Sequence, residues 1–266
     1  MTFMNGENQK KKKPIVQFSK LGKCGRFGNQ LYQYAFIRKY SELTHSKLET
    51  GKWIGQSIFE NIRDPLPSKK LKLITSKNFL TPEHQKRMVN IDSTGQYQCQ
   101  CHLIYSLDWV RNLYRFNKKT LDFLGKPEIS DYAAIHVRRG DYVSSGEYCI
   151  VSESSYEKLL NQLNVKDVIW IYREDDVTDI HHKRFKYSKY NEFSKTEKML
   201  MDFWYLMNSK VLIRSNSTFS VWAGFLHRGE KIYSPDVNTL VGLNDVEFVE
   251  GNTCRCTKTY TDFELK

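Results

Sequence analysis

The apolar residues of this 266-residue chain fall into two patterns. One consists of short, near-continuous runs: Pro14-Ile15-Val16-Gln17-Phe18, Tyr132-Ala133-Ala134-Ile135-His136-Val137, Val168-Ile169-Trp170-Ile171-Tyr172 and Val211-Leu212-Ile213. Runs this short and this apolar predict strands buried on both faces, as in a parallel sheet. The other pattern is helical. From Asn29 to Leu43 the residues Leu31, Tyr34, Ala35 and Ile37 recur near a 3.6-residue period, which buries one face. Similar spacing predicts helices over Ser155 to Leu163, Lys195 to Met207 and Val221 to Leu226, and one from Trp109 to Leu124 that stops at Gly125-Lys126-Pro127. Strand, helix, strand, helix, strand is the order of an α/β layer with parallel pairing. Between about Gly51 and Gly95 the chain is richer in Lys, Pro and polar residues, and the period places no strand there.

A division near residue 127 follows, into segments 14–127 and 128–266. In front of them, Lys10 to Lys13 form a block of charge behind a polar start, the pattern of a solvated, disordered basic tail over residues 1–13. The net charge of +11 makes the surface attractive to phosphates, acidic glycans or nucleic acid without choosing among them. With 40% hydrophobic and 14% aromatic residues the chain has the makings of a packed core. No apolar run reaches the roughly 18 to 20 residues that span a bilayer, and the start lacks a signal peptide's apolar core, so a cytoplasmic protein is expected. Six cysteines are too few for a disulfide scaffold and are expected to be reduced. The pairs Cys99 with Cys101 and Cys254 with Cys256 lack ordinary zinc spacing, so no metal is expected.

Three segments carry candidate chemistry. His136-Val137-Arg138-Arg139-Gly140-Asp141-Tyr142 lies where a buried strand runs out into a loop, the end at which parallel sheets bind ligands. Arginine offers a planar fork of donors that fits phosphate oxygens. Asp141 can orient one guanidinium; an internal salt bridge from Arg138 or Arg139 to Asp141 is the plain structural alternative. Gly25-Arg26-Phe27-Gly28-Asn29-Gln30 joins the first strand to the first helix, where glycines let backbone approach an anion near free N–H groups. It is neither a dinucleotide fingerprint nor a P-loop. Ser215-Asn216-Ser217-Thr218-Phe219-Ser220 precedes a helix, and its hydroxyls can cap that helix or bind a phosphate.

Together, in this order, the three segments resemble the α-1,2-fucosyltransferase family, which has a Gly-x-Gly-Asn-Gln-type turn, a His-x-Arg-Arg-Gly-Asp-Tyr motif and an Asn-Ser-Thr-Phe-Ser motif before a Trp-containing helix, here Trp222. The resemblance implies a GT-B-like α/β fold, with two Rossmann-like domains facing across a donor cleft. It implies GDP-fucose as donor, a glycan hydroxyl as acceptor, inversion at the sugar carbon and no metal. Segment 14–127 would then be the acceptor side and 128–266 the donor side. By position, Arg138 would contact the donor's β-phosphate and act with Asp141 in catalysis. Arg26, Gly28, Asn29, His136, Arg139, Asn216, Ser217, Thr218 and Phe219 would bind the donor. The family's Phe-Ser-Asp-Asp-like stretch is here Tyr172-Arg173-Glu174-Asp175-Asp176, which keeps Asp175 and Asp176 as donor-binding acids in altered surroundings, and Val221 replaces a second Trp.

The general base stays open among Asp141, Asp108 and Glu147. A transferase for another GDP-sugar or acceptor keeps every motif. A nucleic-acid binder could use the positive charge, but no recognisable module supports it.

Overall fold

The computed structural model describes residues 13–76, 88–98, 106–142, 150–163, 165–173 and 183–235. The basic stretch before Lys13, five of the six cysteines, Glu147, Asp175 and Asp176 lie outside these residues. Cys24 is a free thiol.

The first half is built on β1 (Ile15–Phe18), the long helix α1 (Phe27–Leu43), β2 (Lys47–Thr50), a single turn α2 (Gly55–Ile58), β3 (Lys72–Thr75) and β4 (Ile91–Thr94). Its sheet has the order β2-β1-β4-β3 with every pair parallel. Of these strands the periodicity located only β1. β3 is an exposed edge with one buried residue in four, and β2 reads Lys-Leu-Glu-Thr, so neither presents an apolar run. Where one helix was expected over Trp109 to Leu124, there are two: α3 (Leu107–Leu113) and α4 (Lys118–Leu124). Asn117 ends the gap by accepting from the Thr120 amide at 2.9 Å, an N-cap that starts a new helix.

The second half holds β5 (Tyr132–His136), α5 (Glu153–Leu160), β6 (Asp167–Ile171), α6 (Lys195–Asn208), β7 (Val211–Ile213), α7 (Thr218–Phe225) and β8 (Lys231–Tyr233). All five residues of β5 and all three of β7 are buried, which is why their sequences read as apolar runs. The sheet order is β6-β5-β7-β8, again wholly parallel. The chain leaves β5 toward β6 on one side and returns to β7 on the other. The carboxyl ends of β5 and β7 therefore flank a topological switch point, where open α/β sheets hold ligands.

The halves meet through α1, α6 and α7. Phe27 of α1 packs edge-on against Phe203 of α6 and Phe219 of α7, at ring separations of 5.3 and 6.4 Å. Tyr32 and Tyr114 both meet the fully buried Trp222 of α7 edge-on, and the Tyr114 hydroxyl donates to the Leu31 carbonyl at 2.5 Å. One apolar cluster thus runs from Val16 in the first sheet to Ile232 in the second, and a separate cluster under α5 covers the other face of the second sheet.

Candidate active site

α7 begins three residues earlier than its apolar spacing suggested, so Thr218, Phe219 and Ser220 form its first turn. Ser217 is the N-cap and accepts from the Phe219 amide at 3.3 Å, so the capping reading of that hydroxyl holds. α1 starts at Phe27 with Arg26 as its N-cap, and Arg26 makes no side-chain capping bond. The two helix starts converge at Gly28. A Cβ there would lie 2.6 Å from the Phe219 nitrogen and 2.7 Å from the Thr218 carbonyl carbon. Gly28 is buried under α7, so its missing side chain serves the contact between the two halves. Next to it, Asn29 Oδ1 accepts from Thr218 Oγ1 at 2.8 Å and from Gln98 Nε2 at 3.0 Å, joining the first and third motifs.

The central motif divides by burial. Arg139 is fully buried and its Nη1 donates to the carbonyls of Arg138 and Val151, at 3.2 and 3.0 Å. It braces the loop from inside. Arg138 points the other way: its side chain is 8% exposed, and Nη2 donates to Asp141 Oδ1, while the guanidinium lies 4.7 Å from the centre of the Tyr142 ring. Gly140, at φ 62°, makes the turn that returns Asp141 to Arg138. Arg26 closes the group from the other half, its Nη2 donating to Oδ1 and Oδ2 of Asp141 at 3.0 and 2.9 Å. Burial draws the Asp141 carboxyl upward, but the bonds and fields of Arg26 and Arg138 outweigh it and leave it below the ordinary aspartate value.

His136 closes the carboxyl end of β5. Its Nδ1 lies 2.6 Å from Ser215 Oγ beyond β7, so this pair spans the switch point. Burial first, then the fields of Arg138, Arg214 and Arg184, push the imidazole down to about 3. His136 is neutral near pH 7 and serves as a hydrogen-bonding group. Asn216 is buried, and Phe219 packs its ring 5.4 Å from that of His136.

Sequence reasoning missed Arg214, which is 3% exposed and donates through Nη1 to Ser234 Oγ at 2.8 Å. Burial draws its guanidinium down to about 9, still charged at neutral pH. The signal was available: Arg214 follows an apolar triplet directly, as Arg138 follows His136-Val137. Also missed was Arg184, which grips Asp202 at 2.9 Å through Nη2. Of the base candidates, Asp108 is exposed in the first turn of α3. That helix bonds the far ends of α1 and α7, through Trp109 to Glu42 and Arg111 to the Phe225 carbonyl, which removes Asp108 from the site. Among the described residues no group of three or more His, Cys, Asp or Glu could hold a metal.

The histidines set a pH dependence of folding. Burial lowers His227 to about 4, with Arg111 adding to the effect and the Ser209 carbonyl opposing it. In the unfolded chain both would titrate near 6.5. The unfolded state then binds protons that the folded state refuses, so stability is full above that value and falls as pH drops through it. Urea midpoints measured from pH 7.5 to 5 should decline steadily, and His227→Gln should make the decline shallower. A flat profile would contradict the buried neutral histidines.

Two parallel α/β sheets meeting at a cluster of arginines give the chain a GT-B-like α/β fold. The chain belongs to glycosyl transferase family 11, whose model matches residues 93–249, more than half of its length. The family expectation drawn from the three motifs is borne out, and the protein is an enzyme of the fucosyltransferase kind. Among solved structures, a mutant of Arabidopsis thaliana FUT1 in complex with GDP is 13% identical with a TM-score of 0.53, the match covering 86% of this chain and 71% of that one. The NodZ alpha-1,6-fucosyltransferase soaked with GDP-fucose is 15% identical, with a TM-score of 0.45 and coverage of 85% and 96%. The fucosyltransferase NodZ from Bradyrhizobium is 12% identical, with a TM-score of 0.46 and coverage of 84% and 96%. No curated protein sequence matches the chain. No helix among the described residues is long and apolar enough to cross a membrane.

Proposed function

We propose that this protein transfers fucose from GDP-fucose to a glycan hydroxyl with inversion, the second half binding the donor and the first half facing the acceptor. The observation that carries the donor reading is the near-buried guanidinium of Arg138 at the carboxyl end of β5, beside the switch point. There it can neutralise the charge that develops on the diphosphate as the glycosidic bond breaks. Inside the low-dielectric site such a donor acts without reorganisation, and removing one of its kind typically costs about 100 to 1000-fold in rate.

Arg139 holds the loop that presents Arg138, and His136 with Ser215 ties β5 to β7 beneath it. Arg26, Asn29, Ser217 and Thr218 stand around the converging helix starts and complete the donor cleft, with Asn216, Phe219 and Gly28 packed behind them. Both oxygens of Asp141 accept from guanidinium groups. Its part is therefore to act on the arginines rather than to take the acceptor's proton. Galactoside α-1,2 linkage is the acceptor reading that the motifs favour, and product analysis tests it.

With arginines as the phosphate clamp, the purified protein should bind GDP more tightly than UDP or AMP, and equally well in EDTA. Calorimetry checks this. Loss of GDP binding on chelation would overturn the metal-free clamp, and equal affinity for UDP would overturn the choice of donor.

A further inference from the structure

Asp141 connects three facts. It is 60% exposed while the Arg138 side chain it contacts is only 8% exposed, so the carboxylate covers Arg138 on the side toward solvent. Its second cation, Arg26, comes from the other half of the molecule and is itself 52% exposed. It also follows Gly140, whose left-handed backbone gives the two-residue link to Arg138 a tight turn. A carboxylate and a phosphate oxygen offer a guanidinium the same acceptor geometry, and two anions on one donor edge repel each other.

We propose that Asp141 is a built-in competitor for the donor's diphosphate. In the empty site it neutralises the near-buried Arg138, and on arrival of a nucleoside diphosphate it stays with Arg26 while the phosphate takes its place on Arg138. The same exchange in reverse speeds departure of the nucleotide product. This inference rests on the donor reading above. A carboxyl held ionised by two arginines suits this part better than that of a proton acceptor.

The test is titration of the full chain with GDP and, separately, with inorganic pyrophosphate, in EDTA. Asp141→Asn should tighten both ligands at least about 5-fold even as it lowers the melting temperature by taking a counter-charge from the near-buried Arg138, and in turnover should lower the apparent KM and kcat together. Arg26→Gln should weaken pyrophosphate at least about 3-fold, because Asp141 loses its alternative cation. In the Asp141→Asn background the same Arg26 change should matter less than about 2-fold. Asp141→Ser serves as a second variant without an amide. If both Asp141 variants bind pyrophosphate no better than the parent, or worse, the competitor role is overturned and Asp141 is an orienting group. Tighter pyrophosphate without preference for GDP over UDP would sustain this inference and overturn the GDP reading.

Discussion

Arg138→Ala is expected to lower turnover by at least about 100-fold while the melting temperature moves only slightly. The reason is the asymmetry of its surroundings. Asp141, with which it pairs, is 60% exposed, so that carboxylate stays solvated when the guanidinium is lost. The charge that needs it forms only during reaction, so the loss should appear in kcat and in kcat/KM alike. Arg138→Lys should rescue poorly, since an ammonium keeps the charge and loses the planar fork. Arg139→Ala should show the reverse profile. It is fully buried and donates to two carbonyls, so its removal should cost about 2 to 3 kcal/mol of stability. Assays of turnover and urea unfolding on the same preparations separate the two. A soluble, fully active Arg138→Ala protein would place the donor site elsewhere.

Gly28→Val is expected to be the most damaging single change outside the arginines. Even the Cβ of alanine would stand 2.6 Å from the Phe219 nitrogen, and this obstacle is backbone at the start of a helix, unable to swing aside. Overpacking of this kind costs typically about 1 to 3 kcal/mol for a buried site, and valine's branches add to it. The helices must separate, which draws Arg26 away from Asp141 and Asn29 from Thr218. Alanine should therefore lower the urea midpoint clearly and activity with it, and valine should do more. Wild-type stability in Gly28→Ala would mean that the helix starts have room the structure does not show.

The comparison between sequence and structure turns on burial. β5 and β7 were legible because both faces of each are covered, so every position had to be apolar or, as at His136, bonded from within. β3 and β4 were not, because each is only partly covered and carries polar residues such as Lys72 and Asp92, and β2 was not because its buried positions include Glu49 and Thr50, with Glu49 held by hydrogen bonds from Gln17 and Ser68. β8, as short as β7, was missed because only its middle residue is buried and exposed Lys231 stands at its start. The three motifs do meet in the fold: Arg26 and Arg138 share Asp141, His136 meets Ser215, and Thr218 meets Asn29. Their separate parts were not legible. Nothing in two adjacent arginines says that one bonds the loop's own carbonyls and the other pairs with an exposed carboxylate; the strand's last residues and the Gly140 turn decide it. Nor does a glycine-bearing turn announce whether its missing side chain makes room for a ligand or for a helix.

The aromatic seam that runs through Phe27, Phe203, Phe219, Tyr32, Tyr114 and Trp222 has a consequence for how the molecule responds as a whole. Two sheets with a core in common form one cooperative unit, and neither half can melt without stripping the other of part of its interior. Free energy gained by any ligand on the second sheet is therefore felt at the first strand. In thermodynamic terms the chain counts once, although in architectural terms it counts twice.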